Sequence, residues 1–213
     1  MAVIVDKILN HTCRLGVWQI EESYQWLLSR LNLEESEKKT IESFKNHKRK
    51  LEWLSVRVLL NKMTRSDQRI IYNGNRKPFL RDKSFNISIS HSEQYTTVLL
   101  SPDSRVGVDI EKMKSKIVKV ANKFLTDEEL SNVDEEQEIF HLYLYWCAKE
   151  SLYKLFDKKN IYFKEDIFIE PFVPSDKGVM FGRVNTSSHR TQERLQLNYF
   201  RLGDYSLVWT YKK

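Results

Sequence analysis

The sequence predicts an α+β fold. Residues 85–90 alternate strictly between apolar and polar side chains, whereas Arg49 to Met63 repeats its apolar residues with the helical period. Strand and helix patterns of these two kinds are interspersed along the chain, without the regular strand–helix–strand alternation of a parallel sheet. The order of the patterns therefore favours α+β over a parallel α/β arrangement.

In the first half of the chain, Asn32 followed by Glu35 could form a capping box at the start of a basic helix. Ser101-Pro102-Asp103-Ser104 is a turn and the best internal boundary. The predicted elements are a strand over 12–20, helices over 21–31, 33–45 and 49–63, a turn at Asn73-Gly74, a break at Pro78 and a hairpin over 85–100.

In the second half, residues 105–111 alternate again and predict a strand. Thr126 and Glu129 form a second capping-box pattern, and a long helix is expected after it. The remaining predicted elements are that helix over 138–157 and strands over 161–170, 178–184, 194–201 and 205–211.

The composition is that of a globular chain of 213 residues, with 41% hydrophobic side chains and only 6 Gly and 4 Pro. Two cysteines cannot form a disulfide scaffold, so thiols in a reducing compartment are expected. The apolar run at the N-terminus is too short for a signal peptide, and no uncharged stretch reaches membrane-spanning length. We expect a soluble cytoplasmic protein that does not bind membranes.

Basic side chains concentrate in one segment. Residues 38–83 hold 14 Lys and Arg against 4 Asp and Glu, a local excess of +10, although the whole chain carries only +6. Residues 127–138 hold seven acids and no base. A charge run is often only a solvated surface, but an excess of this size favours an anion-binding site in the first half.

Two carboxylates share one face of the strand Val106-Gly107-Val108-Asp109-Ile110-Glu111, because side chains alternate along a strand. Asp109 and Glu111 repel each other unless a cation lies between them, and Gly107 beside them could let a ligand or metal approach. Oxygen ligands of this kind suit Mg²⁺ or Mn²⁺. Ordinary surface acids on an exposed strand are the alternative.

The helix over Leu142–Phe156 places Glu150 and Lys154 four residues apart on one face. They form either an ordinary surface ion pair or a third metal-binding carboxylate with a lysine beside it for an anionic transition state. Ser88, Ser90 and His91 at the end of a polar strand face could hold a phosphate, although a lone histidine there is more often structural.

Several site types are excluded by the absence of their motifs. The sequence has no CxxC pair or HExxH for zinc, no GxGxxG or GxxxxGK[ST] for nucleotides, and no GxSxG nucleophile elbow.

Three segments resemble, in order and spacing, the signatures of the 4′-phosphopantetheinyl transferases of the long, surfactin-synthetase-activating type. They are Asn86-Ile87-Ser88-Ile89-Ser90-His91-Ser92, Val106-Gly107-Val108-Asp109-Ile110-Glu111, and Trp146-Cys147-Ala148-Lys149-Glu150-Ser151-Leu152-Tyr153-Lys154. Arg49-x-x-Glu52-Trp53-Leu54-x-x-Arg57, Lys77-Pro78 and Phe124-Leu125-Thr126-x-x-Glu129 resemble further family elements. The resemblance covers about residues 35–170, and the last forty residues match nothing in the family pattern.

This resemblance implies a pseudo-dimer of two similar α+β halves, residues 1–104 and 105–213, each a small antiparallel sheet packed with helices. The active site is then expected in the cleft between them. The implied reaction is Mg²⁺-dependent transfer of the 4′-phosphopantetheine arm of coenzyme A to a serine of an acidic apo acyl or peptidyl carrier protein, with release of 3′,5′-ADP. A chain of this length can supply both halves, so a monomer is expected.

The resemblance also implies residue roles. Asp109, Glu111 and Glu150 match the metal ligands, with Mg²⁺ or Mn²⁺ as the ion. The carrier serine also needs a base, and Glu150, directly or through a metal-bound water, is the best placed. Lys154, or less favourably Lys149, matches the lysine near the transferring phosphoryl group. The expected coenzyme A contacts are Arg49, Arg57, Lys77, Ser90 and His91. The family usually has one residue fewer before its Ser-His pair, which we align with Ser90-His91.

Two other functions compete with this interpretation. A protein that binds coenzyme A or a nucleotide without turnover would not need all three acids. A nucleic-acid-binding module could use the basic segment, but the sequence has no recognition-helix or RNP-type signature. We therefore expect no nucleic-acid partner.

Overall fold

The computed structural model describes residues 3–9, 12–157, 161–186 and 189–213, without the side chains of 186 and 189–192. These residues form two compact units, Met1–Asp103 and Ser104–Lys213. Each unit packs helices against a small antiparallel sheet. The α+β prediction is therefore confirmed.

The first unit contains a four-stranded antiparallel sheet with strand order β1-β2-β6-β5 and a separate two-stranded ribbon, β3-β4. Its elements are β1 (Val3–Ile8), β2 (Arg14–Gln19), α1 (Tyr24–Ser29), α2 (Glu35–Ser43), α3 (His47–Thr64), β3 (Ile70–Tyr72), β4 (Pro78–Leu80), β5 (Asn86–Ser92) and β6 (Tyr95–Ser101). The predicted hairpin over 85–100 is confirmed as β5–β6.

Helix α3 forms the centre of the first core. Its side chains Leu54, Leu59 and Leu60 are fully buried, and they pack in one cluster with Trp18 of β2 and Val98 of β6. The Asn46 side chain accepts a hydrogen bond from the Lys48 backbone amide at 2.8 Å and so caps the N-terminus of α3.

One expectation for this unit is wrong, and strand β1 was not predicted. The capping box of α2 is formed by Glu34 and Glu37, two residues later than predicted, while the Asn32 carbonyl accepts a hydrogen bond from Arg69 at 2.7 Å. The sequence of strand β1 shows no alternation of apolar and polar side chains. The strand lies at a sheet edge with most of its side chains exposed, so it lacks the alternation that marks a half-buried strand.

The second unit contains a five-stranded antiparallel sheet with strand order β7-β11-β10-β9-β8. Its elements are β7 (Arg105–Lys112), a 3₁₀ helix (Ser115–Lys123), α4 (Asp127–Ser131), α5 (Glu138–Phe156), α6 (Phe163–Asp166), β8 (Ile167–Ile169), β9 (Lys177–Thr186), β10 (His189–Leu202) and β11 (Tyr205–Lys212). The single strand expected over 161–170 is instead α6 followed by β8. The 3₁₀ helix was not predicted.

Helix α5 packs its apolar side chains on one face of this sheet. Tyr145, Leu152 and Leu155 lie in one buried cluster with Leu197 of β10 and Val208 of β11. The predicted capping box of α4 is present: Thr126 Oγ1 accepts from the Glu129 amide at 3.1 Å, and Glu129 Oε2 accepts from the Thr126 amide at 2.9 Å. In the described part of the chain, no helix is long and apolar enough to cross a membrane.

Gly107 allows α5 to lie directly against β7. A Cβ atom at this position would come within 2.0 Å of the Ser151 carbonyl oxygen and 3.2 Å of the Leu155 amide nitrogen. The expectation that this glycine makes room for a ligand or metal is therefore wrong, because helix backbone fills the space. The side chains of Asp109 and Glu111 share the same face of β7 and so also point towards α5.

We expect Gly107→Ala to destabilise the protein by about 1–3 kcal/mol, because the clash is with backbone that no side-chain rotation relieves. The measurement is the free energy of unfolding from urea denaturation. Gly74→Ala is the matched control, since a Cβ at Gly74 meets no atom within 4 Å. Equal stabilities of the two variants would contradict the assigned role of Gly107.

His141 on α5 is fully buried and stacks on Tyr145, with 5.0 Å between ring centroids, and against the edge of Phe172 at 4.5 Å. Its Nδ1 accepts a hydrogen bond from the Asp134 amide at 3.0 Å. Burial lowers the pKa of His141 to about 4, although the Asp134 charge acts in the opposite direction. The folded protein thus keeps this imidazole neutral.

We expect the contribution of His141 to the free energy of unfolding to fall as the pH drops from about 6.5 towards 4. In this interval the His141 imidazole takes up a proton in the unfolded chain but not in the folded one. With a folded pKa of about 4, this loss is about 2 kcal/mol between pH 7 and pH 5. The pKa of Glu150 is raised to about 7, so the folded protein takes up a proton at Glu150 over the same interval. This uptake stabilises the folded protein as the pH falls. The informative quantity is therefore the difference between wild type and His141→Phe.

The measurement is urea unfolding of both proteins at pH 7 and pH 5. We expect acidification to favour the variant over wild type by about 2 kcal/mol. The same response to acidification in both proteins would show that His141 is not buried in its neutral form.

Candidate active site

The centre of the candidate site is an ion pair between β7 and α5. Lys154 Nζ donates to Asp109 Oδ1 at 2.7 Å and to the Val108 carbonyl at 3.1 Å. The Asp109 side chain is only 4% exposed, whereas that of Lys154 is 26% exposed. The pair thus joins an interior carboxylate to a lysine whose side chain is partly exposed.

Glu150 lies one helical turn before Lys154 and is half-buried. Its pKa is raised to about 7, first by burial and then by the negative charge of Asp109, with a smaller contribution from Glu111. The positive charge of Lys154 acts in the opposite direction. The three carboxylates therefore lie within electrostatic range of one another.

Burial tends to lower the pKa of Lys154, but the charges of Asp109 and Glu150 act more strongly together and raise it. The lysine accordingly remains an ammonium ion at neutral pH.

Cys147 lies one turn before Ser151 on α5, and its Sγ is 3.7 Å from the Ser206 carbonyl that accepts its hydrogen bond. Complete burial raises the pKa of this thiol well above its usual value, so it stays protonated.

Among the residues that the structure describes, no group of three or more His, Cys, Asp or Glu side chains is arranged to hold a metal ion. The donor set itself suits such an ion, since Asp109, Glu111 and Glu150 offer only carboxylate oxygens and their charges oppose one another. A metal ion shared by these three carboxylates thus stays a prediction.

Lys149 has a structural environment. Its side chain is fully buried, and Nζ donates to Glu129 Oε2 at 2.8 Å and to the carbonyls of Phe163 and Ile167 at 2.9 Å and 2.7 Å. All three donors of the ammonium group are used, and none is directed at solvent. This geometry disagrees with the expectation that Lys149 contacts a transferring phosphoryl group.

In the first unit, Arg49 at the start of α3 meets His91 near the end of β5. An Arg49 guanidinium nitrogen (NH1) lies 2.5 Å from His91 Nε2 and 3.3 Å from Glu52 Oε2, while His91 Nδ1 lies 3.4 Å from the same carboxylate oxygen. Glu52 was not predicted as a site residue. Its signal was its position three residues after Arg49, which places both side chains on one face of a helix.

The Arg49 side chain is 44% exposed, and His91 is partly exposed, so both are accessible to an anion from solution. Ser90, the preceding residue on β5, is buried. Lys77 is half-buried beside β4, where its backbone amide donates to Asn73 Oδ1 at 2.9 Å. The structure thus brings Arg49 and His91 together and places Lys77 on the neighbouring ribbon.

Arg57 is enclosed in the first core rather than presented to a ligand. Its side chain is 5% exposed, its guanidinium lies 3.2 Å from the centroid of the Trp53 ring, and Nε donates to Glu37 Oε1 at 3.2 Å. Burial lowers its pKa, although Tyr72 and Glu37 oppose this. This environment disagrees with the expected coenzyme A contact and favours a structural role.

Comparison with known proteins places this arrangement in a family. Residues 105–210, which carry Asp109, Glu150 and Lys154, match the family model of the 4′-phosphopantetheinyl transferase superfamily. The second unit of the chain matches this superfamily. The matched segment begins and ends within the second unit, so the family's sequence pattern and the candidate site coincide there.

Individual relatives agree with this assignment. The 4′-phosphopantetheinyl transferase psf-1 of Bacillus pumilus is 36% identical over 90 residues, which is 40% of this chain and 38% of the relative. The 4′-phosphopantetheinyl transferase Sfp of Bacillus subtilis is 36% identical over 81 residues, 36% of this chain and 34% of the relative. The similarity to these proteins supports the long type of the superfamily.

A longer match connects the chain to a vertebrate protein. The L-aminoadipate-semialdehyde dehydrogenase-phosphopantetheinyl transferase of Xenopus laevis is 25% identical over 163 residues, 65% of this chain and 54% of the relative. The chain thus spans about a third to a half of the length of these curated superfamily relatives.

We expect Lys149→Met to destabilise the protein by about 3–5 kcal/mol, because the Glu129 carboxylate is then left buried without its counter-charge. The measurement is the free energy of unfolding in urea. The double variant Glu129→Gln/Lys149→Met removes both charges and should recover part of the loss. Wild-type stability of Lys149→Met would instead favour the catalytic role that the sequence suggested.

Proposed function

We propose that this chain transfers the 4′-phosphopantetheine arm of coenzyme A to a serine of an apo carrier protein and releases 3′,5′-ADP. The observation that carries the proposal is the Asp109–Lys154 ion pair beside Glu150, within the segment that matches the superfamily. A pair of acids beside an ammonium group is suited to phosphoryl transfer, where positioning and charge stabilisation dominate.

The proposed chemistry uses the chain's own residues as follows. The carrier serine oxygen forms a bond to the phosphorus next to pantetheine, and the bond from that phosphorus to the 3′,5′-ADP oxygen breaks. Glu150 accepts the serine proton, directly or through a water, since it is a half-buried carboxylate whose pKa is raised to about 7. Lys154 offsets the negative charge that develops on the transferring phosphoryl group.

Mg²⁺, or Mn²⁺ in its place, is proposed to be held by Asp109, Glu111 and Glu150. When bound, it would supply positive charge to the pyrophosphate of coenzyme A. The all-oxygen donor set and the mutual repulsion of the three carboxylates support this assignment.

Arg49 and His91 are proposed to bind a phosphate of coenzyme A, with Ser90 and Lys77 as further contacts. The support is that Arg49 and His91 lie close to each other and to the Glu52 carboxylate. An incoming phosphate would compete with this carboxylate for the two side chains. Arg57 is not assigned a ligand contact, because its guanidinium is already stacked and hydrogen-bonded in the core.

The carrier protein is proposed to be acidic. The excess of +10 over residues 38–83 supports this, since complementary charge accelerates and strengthens association. One chain is proposed to be sufficient for activity, because it contains two α+β units.

The test is incubation of the chain with coenzyme A, Mg²⁺ and an apo carrier protein, followed by the mass of the carrier. We expect a mass gain of one phosphopantetheine group with wild type. Glu150→Gln and Asp109→Asn should slow the reaction by about 10²–10⁴-fold, because each removes a charge at the reacting centre. High salt should raise the carrier KM, because it screens the attraction.

Glu128→Gln is the matched control, since Glu128 is an exposed acid of α4 in the same unit. It should retain wild-type rate, and all variants should retain the wild-type circular dichroism spectrum. Coenzyme A binding without mass gain for any of several carriers would favour the non-catalytic alternative. Full activity of Glu150→Gln would contradict the assigned base.

A further inference from the structure

Glu52 on α3 is the acid of the cluster that it forms with Arg49 and His91, and the proposed function gives it no role of its own. Its Oε2 lies 3.3 Å from a guanidinium nitrogen of Arg49 and 3.4 Å from Nδ1 of His91. The Glu52 side chain is 10% exposed, whereas those of Arg49 and His91 are 44% and 34% exposed. The carboxylate is therefore the enclosed member of a cluster whose two other members reach the surface.

The backbone at Glu52 is tied to the sheet of the first unit. Its carbonyl oxygen accepts a hydrogen bond from Ser55 Oγ at 3.0 Å, and this hydroxyl lies 3.3 Å from Thr96 Oγ1 on β6. Thr96 is in turn the residue opposite His91 in the β5–β6 pairing. The helix is thus fixed to the two strands beside the cluster, so the Glu52 carboxylate stays next to any anion that Arg49 and His91 bind.

The hydrogen bonds determine the charge of the cluster. A guanidinium nitrogen can only donate, so the Nε2 atom of His91 that it contacts is the acceptor. The ring proton of a neutral imidazole then lies on Nδ1, the nitrogen that faces Glu52. Arg49 contributes one positive charge, Glu52 contributes one negative charge, and His91 contributes none. The three side chains together therefore carry no net charge.

This charge balance matters for the phosphate that the cluster meets. The bond that breaks in the proposed reaction lies in the pyrophosphate of coenzyme A, which is assigned to Lys154 and the metal-binding carboxylates. The phosphate that remains for Arg49 and His91 is the 3′-phosphate. It is a monoester with a second pKa of about 6, so above that pH it carries nearly two negative charges.

A dianion gains little from a cluster of this kind. The attraction of Arg49 is opposed by the fixed carboxylate of Glu52, and the repulsion grows in proportion to the charge of the ligand. Lys77, the further contact under the proposed function, adds at most one positive charge, about half of what the monoester carries. The contribution of the 3′-phosphate to binding is therefore largely cancelled.

We propose that Glu52 is a specificity-determining residue that makes the 3′-phosphate dispensable, so the chain accepts 3′-dephospho-coenzyme A about as well as coenzyme A. The inference rests on the proposed function and concerns only the donor. With either donor, the serine oxygen forms the same bond to phosphorus, and its proton goes to Glu150. The bond to the leaving oxygen breaks in both cases, and the leaving group is 5′-AMP instead of 3′,5′-ADP.

The experiment measures the Kd of the full chain for each donor by isothermal titration calorimetry, without a carrier protein. It is done at pH 8, above the usual pKa of histidine. We expect the two Kd values of wild type to agree within about threefold. Glu52→Gln should tighten coenzyme A by roughly tenfold but 3′-dephospho-coenzyme A by less than about twofold, because only coenzyme A carries the phosphate that Glu52 repels. Glu52→Asp keeps the charge and should keep the wild-type ratio.

Glu21→Gln is the matched control, since it removes one negative charge from an exposed acid of the same unit. It should leave both Kd values unchanged, and all variants should keep the wild-type circular dichroism spectrum. A wild-type preference of tenfold or more for coenzyme A would overturn the proposal. An equal change of both Kd values in Glu52→Gln, in either direction, would overturn it too, because a merely structural role of Glu52 does not distinguish the donors.

The transfer assay run on wild type with each donor separates this inference from the proposed function. We expect similar KM values for the two donors and the same mass gain of the carrier. A chain that binds both donors equally but transfers from neither would refute only the proposed function. Transfer from coenzyme A together with binding of 3′-dephospho-coenzyme A that is tenfold weaker would refute only the role assigned to Glu52.

Discussion

The buried ion pair between Glu129 and Lys149 is the interaction on which the second unit depends. Glu129 Oε2 accepts from Lys149, and Oε1 accepts from the Ile169 amide at 2.9 Å, so one carboxylate joins α4, α5 and β8. Lys149 adds the Phe163 and Ile167 carbonyls at α6. Desolvation of two charges is costly, and it is offset here because every polar atom of both groups has a close partner.

The ion pair fixes the position of α5, and this position determines the geometry of the candidate site. Glu150 is the next residue along the helix, about 100° further round its axis, and Lys154 lies one turn beyond it. Gly107 removes the side chain that would separate α5 from β7. The pair and the glycine together bring Lys154 to Asp109, 45 residues away in sequence.

The sequence predicted the elements whose signals are local. Helices α3 and α5, the β5–β6 hairpin, strand β7 and the Thr126–Glu129 capping box all carry short-range patterns of burial or capping. Edge strand β1 was missed because its exposure pattern lacks alternation. The short helix α6 was taken for strand because four residues are too few to display a helical period.

The sequence grouped some of the candidate residues by shared faces but did not give their arrangement. The spacing of Asp109, Glu111, Glu150 and Lys154 indicated shared faces, and the family resemblance indicated chemistry. Whether a charged side chain is enclosed depends on tertiary packing that no local pattern records. Arg57 and Lys149 were therefore assigned to ligands, whereas Glu52 was overlooked although it joins Arg49 to His91.

Because Lys149 is enclosed, helix α5 is held in place before any ligand binds. A helix tied by three hydrogen bonds from one ammonium group cannot turn about its axis without breaking them, so Glu150 and Lys154 keep a fixed direction relative to β7. Little conformational entropy of the helix remains to be lost when a ligand arrives there. Arg49, nearly half exposed on a long side chain, retains more rotamer freedom and loses it on contact. The two groups therefore differ in preorganisation. The directions of Glu150 and Lys154 are fixed during folding, whereas that of Arg49 is fixed only when a ligand binds.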